Sequence, residues 1–306
     1  MTVIKPAEFD SFWDDVDNDL GSISIAPEVE YIQMRSNDDA DLYGLRITSI
    51  GPYRLFAYLS IPKGEGPFPA IYYVPKNGSV HEVIPQGTAT GIRGRYVTFS
   101  VAGRGMRNSD KPYTAMYPGQ LTDGLESADT YVYRGIIADA LRGLEYLITR
   151  PEIDSKRIVA WGNDIAVLAA ARRSEITHAV STPAYLFDTV EHALKTSSYP
   201  LAEYSDYLRL YPDRKDEVES ILSMYNLRWH APAVKAETLL RADQPNGIYN
   251  ADILADLENG IAGNVTVHES ERSSFKDGLF AEKWITEKFF GPDVKAIVPE
   301  HWRSAL

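Results

Sequence analysis

One carboxylate stands where the local pattern would put it to chemical use. From Lys156 to Arg173 the chain reads KRIVAWGNDIAVLAAARR. Ile158 to Trp161 reads as a short buried strand, Gly162 to Ala166 as a tight turn, and the alanine-rich run after it as a helix. Such a strand–elbow–helix lifts one side chain above the end of a sheet. The lifted residue is Asp164. A carboxylate there has two options: to attack saturated carbon, leaving an ester that a base must hydrolyse, or to move a proton. Against an acetyl ester it would form an anhydride and gain nothing over direct hydrolysis. A base would have to come from the six histidines. His268 ends a predicted strand and His81 follows a loop on the same edge, whereas His178, His192, His230 and His301 carry no matching motif. The plainer reading of each is an ordinary core or surface imidazole.

Other chemistry is excluded or poorly supported. The chain has no cysteine, so disulfides, thiolate nucleophiles and cysteine–zinc sites are ruled out. Asp123, Glu126 and Asp129 make an acidic turn, but metal ligands converge from several elements and no metal site is expected. Gly103-x-Gly105 lacks the third glycine of a dinucleotide fold, and no loop is built to cradle phosphate, so no cofactor is expected. With 31 Lys and Arg against 43 Asp and Glu, the net charge of −12 argues against nucleic-acid and anionic-membrane partners. Small neutral or cationic ligands stay open. No apolar run approaches spanning length and the acidic N-terminus has no apolar leader, which reads as a cytoplasmic protein.

The elements that must position Asp164 follow from periodicity. Phe9, Phe12, Trp13, Val16 and Leu20 recur at helical spacing, an aromatic stripe for core or subunit contact. Val29–Met34, Leu42–Ile50 and Tyr53–Ile61 alternate as strands, with Gly51-Pro52 punctuating a hairpin. From Ala70–Val74 onward strands and helices take turns: Tyr96–Val101, a helix over Thr130–Thr149, Ile158–Trp161, the elbow helix, Ile176–Ser181, Thr238–Arg241 and Val265–His268. Helices near Ala251–Asn259 and Leu279–Phe289 complete the series. This order predicts an α/β fold whose mostly parallel central sheet is covered by helices on both faces. Between Pro183 and Ala231 the pattern is helical without strands, including Asp213–Tyr225, as in a cap over a pocket.

Longer motifs then carry a family resemblance. YPGQLTDGLESADTYVYRGIIADALRGLEYLITRPEIDSKRIVAWG, Tyr117 to Gly162, resembles the cephalosporin C deacetylase/acetyl xylan esterase family of α/β-hydrolases. The shared features are the YPG turn, the aromatic YxYR, the helix with D-A-x-R-x-x-E, and the P-x-[IV]-D-x-x-R-I-V run into the elbow. Phe9–Trp13 is similar to the family's F-D-x-F-W, and Gly103-Arg104-Gly105-Met106 to its R-G-Q-G, with Met106 in place of the glutamine. The resemblance implies a Ser nucleophile, a His base, an orienting Asp and an oxyanion hole formed partly near a tyrosine. Carried over position by position, the Ser falls on Asp164, the His on Ser273, and the Asp on Asn246 or, with a short gap, Asp243. Lys76, followed by Asn77, replaces the tyrosine. Ile165 follows the nucleophile position, where Asp-nucleophile dehalogenases and epoxide hydrolases carry Trp.

These residues predict one α/β-hydrolase domain over 1–306, with an N-terminal helical extension (1–28), a hairpin and a helical cap insertion (183–231). The expected function is that of a catalytically degenerate family member with a non-hydrolytic ligand-binding or assembly role. Lys76, Asn77, Ile165, Arg104, Met106 and His268 are the candidate binding residues. Lys76 and Asp164 are expected to face each other, either as a structural ion pair or as an acid–base site. A deacetylase with a displaced base, His268, is the remaining alternative. The resemblance also implies a carbohydrate-like ligand and a homo-oligomer, as large as a hexamer.

Overall fold

The computed structural model describes residues 4–76, 84–109 and 115–299. Along the chain run α1 (Phe9–Ser22), β1 (Glu28–Tyr31), β2 (Ala40–Ser49), β3 (Tyr53–Pro62), β4 (Phe68–Tyr73), α2 (Gly91–Arg95), β5 (Val97–Ala102) and α3 (Val132–Leu147). Then come β6 (Ile153–Gly162), α4 (Asp164–Arg172), β7 (His178–Ser181), α5 (Thr189–Ala193), α6 (Ala202–Leu210), α7 (Lys215–Ser223) and α8 (Leu227–His230). β8 (Glu237–Ala242), α9 (Ala251–Gly260), β9 (Val265–Glu269) and α10 (Ser274–Phe290) close the series.

The strands form one sheet in the order β1-β2-β3-β5-β4-β6-β7-β8-β9. The first three and β5 pair antiparallel, and β5 through β9 pair parallel. Gly51, at φ +92°, turns the chain between Ser49 and Tyr53, a backbone state that glycine enters without a Cβ penalty. This is the mostly parallel sheet expected from the alternation. The boundaries differ in places. β1 stops at Tyr31 because Gln33–Arg35 forms a 3-10 turn, and β6 begins at Ile153, five residues earlier than apolarity suggested. The short α2 was not foreseen, and the helix expected over Asp213–Tyr225 is a 3-10 turn at Pro212–Arg214 followed by α7.

Strand alternation assigns the two faces. Ala70, Tyr72, Ile158, Ala160, Ala179 and Leu240 join a large core with α1, α3 and α4. Ile71, Val159, Val180 and Leu239 point the other way, onto Ala281, Trp284, Ile285 and Phe289 of α10. The aromatic stripe of α1 is core: Trp13 is fully buried, donates to the Met224 carbonyl at 2.9 Å, and packs edge-on against Tyr225 and His230. Asp17 pairs with Arg172 and Arg173, and Asp19 with Arg134, so the acidic N-terminus lies on basic helix surfaces. Between β7 and β8 the described chain is helices and 3-10 turns. Among the described residues, no helix is long and apolar enough to cross a membrane.

α3 lies against β4 and β5 closely enough that the Tyr72 hydroxyl donates to the Ala140 carbonyl at 2.6 Å. A Cβ on Gly143 would run into that hydroxyl and Val101 Cγ2. Gly143→Ala is therefore expected to destabilise the fold by about 1–3 kcal/mol, despite alanine's better helix propensity. Urea unfolding measures this directly; an equal or higher midpoint would show that α3 shifts freely on the sheet.

Candidate active site

The sequence places Asp164 at the apex of a loop, but the structure makes it the first residue of α4. Among the described residues the non-glycine positive φ angles belong to Ala26, Asp188 and Arg272, so no left-handed strain is held at Asp164. The turn is relaxed by a helix cap: Asn163 Oδ1 accepts from the Ile165 N–H at 3.2 Å. That N–H follows the nucleophile position, where an α/β-hydrolase supplies one donor of its oxyanion hole. Here it is already bonded.

Asp164 is fully buried and turned toward the loop after β7. Oδ2 accepts from the Ala184 amide at 3.0 Å, and Oδ1 from those of Leu186 at 2.9 Å and Tyr185 at 3.4 Å. Burial pushes the carboxyl up to about 6, against the opposing pull of these amides. Peptide dipoles and the start of α4 thus supply donors to the carboxylate. Lys76 itself lies half-buried beyond β4, and Asn77 lies outside the described residues.

Tyrosines fill the space around the elbow. Asn163 Nδ2 donates to the Tyr185 hydroxyl at 2.8 Å, and the Tyr185 ring meets Tyr133 edge-on at 5.4 Å. Tyr131 and Tyr204 join hydroxyls at 2.7 Å, and Tyr249 donates to the Phe187 carbonyl at 3.0 Å. Tyr131, Tyr133, Tyr185 and Tyr204 are at most 1% exposed. Burial first, and the Asp164 charge after it, raise Tyr185 and Tyr249 well above the usual phenol range, so both stay neutral.

The other triad positions do not converge on the elbow. Asp243 closes its own loop, its N–H donating to the Tyr249 carbonyl at 2.8 Å and its Oδ2 accepting from the Tyr249 N–H at 3.1 Å. Asn246 is exposed on that loop. Ser273 caps α10, accepting from the Lys276 N–H at 3.2 Å. His268 pairs with Arg241 in register, and alternation turns both to the α10 face, opposite α4. Its Nε2 lies 2.9 Å from Asp277 Oδ1, and its ring stacks on Phe280 at 4.1 Å. Burial raises Asp277, but the Glu271 amide, the Ser270 hydroxyl and His268 outweigh it and hold the carboxyl below its ordinary range. Arg104 is a clasp: it binds buried Asp139 through Nε at 3.0 Å and Nη2 at 2.8 Å, and donates to the Ile50 carbonyl. Met106 and Ile165 are buried in the core.

Sequence reasoning missed Asn163, Tyr185 and Asp277. Asn163 was legible as an N-cap signal before an apolar run. Tyr185 carries no local signal, because Asn163 lies 22 residues away, and Asp277 meets its partners only because the chain turns between β9 and α10.

The profile of the acetyl xylan esterase (AXE1) family matches residues 2–246. The chain belongs to that family. Acetyl esterase Axe7A of Xylanibacter ruminicola is 21% identical over 196 residues, 60% of this chain and 45% of that protein. The match thus spans less than half of that relative's length. Two solved structures superpose with TM-scores of 0.81: the acetyl xylan esterase from Paenibacillus sp. R4, at 19% identity, and acetyl xylan esterase 1 from Thermoanaerobacterium sp. JW/SL YS485, at 20%. The first covers 93% of this chain and 96% of its own, the second 94% and 95%.

For this acetyl xylan esterase family member the elbow carboxyl leaves a thermodynamic signature. Its folded value of about 6 lies above the ordinary 3.8, so between these values the native state holds a proton that the unfolded chain has lost. Stability should fall as pH rises from about 4 through about 6, by roughly 3 kcal/mol from this group alone. Asp164→Asn removes that contribution. The native-minus-variant unfolding free energy, from urea denaturation at stepped pH, should decline across the interval; a flat difference would mean that the carboxyl titrates normally.

Proposed function

We propose that this protein is a non-hydrolytic acetyl xylan esterase-like α/β-hydrolase, whose elbow is a scaffold element and whose neighbouring cleft binds a small carbohydrate-like ligand. The observation that carries this reading is the double occupation of the elbow. The Asp164 carboxylate is engaged by three amides, and the Ile165 N–H, needed for an oxyanion, is engaged by Asn163. Acyl transfer needs a nucleophile, a base within hydrogen-bond reach and open oxyanion donors. Ser273 supplies a helix cap in place of a base, and the His268 imidazole is held by Asp277 on the far face. The alternative of an acid–base pair of Asp164 and Lys76 is less well supported, because the carboxylate is fully buried and faces amides.

A cleft of about 570 Å³ opens above the ends of β7, β8 and β9. Thr182, Ala184, Tyr199, Asp243, Asn246 and Arg272 are among the residues that line it. An aromatic ring, amide and carboxylate groups and a guanidinium suit a polyhydroxylated ligand, and the names of the relatives make acetylated xylo-oligosaccharides the first ligands to try.

The test measures acetate release from 4-nitrophenyl acetate and acetylated xylan, using the native protein, Asp164→Ser and an active family member. Neither the native chain nor the variant is expected to exceed the buffer rate, since restoring the hydroxyl restores no base. Xylo-oligosaccharide should raise the unfolding temperature of the native protein. Hydrolysis by the native chain that Asp164→Asn abolishes would overturn the proposal.

A further inference from the structure

We propose that the cleft above β7, β8 and β9 selects a sugar that carries a carboxylate, a uronic acid or an oligosaccharide bearing one, and that Arg272 is the group that holds it. The inference rests on the reading of that cleft as a carbohydrate site and names the chemical class it takes. The charge of the lining comes first. The chain as a whole carries a net charge of −12. Among the described residues, however, the lining holds two cations, Lys195 and Arg272, and one acid, Asp243. Asp243 is turned to its own loop, where Oδ2 accepts from the Tyr249 N–H at 3.1 Å. Gly247 makes room for that turn, since a Cβ there would collide with the Asp243 side chain. Lys195 is taken by Glu191 at 2.6 Å. Arg272 is left over: among the described residues its guanidinium donates no hydrogen bond and has no ion pair. The acid beside it, Glu271, is engaged by Lys276 of α10.

The backbone singles out the same residue. Arg272 lies in the left-handed region at φ +56°, which strains any residue with a Cβ and which arginine has no short polar side chain to relieve. Such strain persists where the surroundings impose it, and it collects at ligand sites. Here the Arg272 N–H donates to Ser270 Oγ at 3.3 Å, and that hydroxyl donates to Asp277 Oδ2 at 2.7 Å. The near end of the residue is thus tied to the start of α10, while its planar fork is left to match a carboxylate with two parallel N–H···O bonds. Tyr199, 69% exposed in the same lining, offers a ring face, and Gln244 and Asn246 offer amides for hydroxyl groups. The volume of about 570 Å³ lies within the range usual for small-molecule sites, roughly 300–1,000 Å³.

Isothermal titration calorimetry on the full chain compares three probes: xylotriose, the same oligosaccharide carrying a glucuronic acid substituent, and free glucuronate. The acidic oligosaccharide is expected to bind about tenfold more tightly than the neutral one, the worth of one charge-assisted contact at an exposed site. Arg272→Gln should bring it down to the neutral ligand's affinity. Because glutamine must also adopt φ +56°, Arg272→Gly, which enters that region freely, is the second variant and must show the same loss. Free glucuronate that binds as tightly as the acidic oligosaccharide, and loses affinity in both variants, supports the contact and assigns the site to the acidic monosaccharide. Equal affinities for the two oligosaccharides, or a preference that survives both substitutions, overturns the inference and leaves the carbohydrate reading standing. Binding of none of the three probes sinks both.

Discussion

A carboxylate without access to water must find its hydrogen bonds inside the protein, and at Asp164 that requirement organises the centre of the fold. An unpaired buried charge costs several kcal/mol. Three consecutive amides of the loop after β7 meet it, and that fixes where the helical segment between β7 and β8 begins. Tyr185, the middle residue of the loop, is thereby placed under Asn163, whose amide nitrogen it receives and whose amide oxygen caps α4. One side chain at the elbow thus ties β6, α4 and the segment after β7 together. The nucleophile position of an α/β-hydrolase leaves its reactive atom open to substrate, whereas Asp164 is buried under three donors.

The motif that most strongly signals the family is, in this chain, wiring rather than chemistry. In Asp139-Ala140-Leu141-Arg142-Gly143-Leu144-Glu145, Asp139 holds Arg104 and the Ala140 carbonyl receives Tyr72. Arg142 donates to the carbonyls of Leu20 and Ile23, and Glu145 pairs with Arg142 and Arg173. Apart from the Arg142–Glu145 pair within the helix, these bonds join α3 to the loop after β5, the strand β4, the end of α1 and the end of α4. Tyr131, the N-cap of that helix, and Tyr133, in its first turn, belong to the large core. The bonds named here and those described for Asp164, Asp243 and Ser273 have no residue in common.

This separation explains what was legible in the sequence. The alternation of strands and helices, the hairpin at Gly51 and the aromatic face of α1 all have local periodicity, and each appears where its pattern put it. Asp164 was identified as the elbow residue because a long motif leads into it. Its direction was not legible, since that depends on amides twenty residues later whose approach is set by tertiary packing. Arg104 and Met106 were read as pocket residues from a short motif. The first is a clasp on Asp139 and the second is core, because neither residue type reports which way its loop turns. Ser273, read as the position of the base, is the N-cap of α10, its Oγ accepting from the Lys276 backbone N–H.

His268 shows how one register decides a function. Along β9, Val265 and Val267 face the large core shared with α4, while Thr266 and His268 face α10, where Thr266 accepts from the Trp284 indole at 3.2 Å. A shift by one residue would reverse all four, placing an imidazole among the apolar contacts of α9 and leaving Asp277 with one donor fewer. The strand is therefore held in its register from both sides. Three inter-strand spacings also separate β9 from β6, about 14 Å, so an imidazole fixed within the strand is far from the elbow as well as facing away from it. Beyond the strand the chain continues into a loop that leads to α10. There Ser270 donates to Asp277, Arg272 bends through a left-handed φ of +56°, and Ser273 caps the helix, so the loop is committed to starting α10.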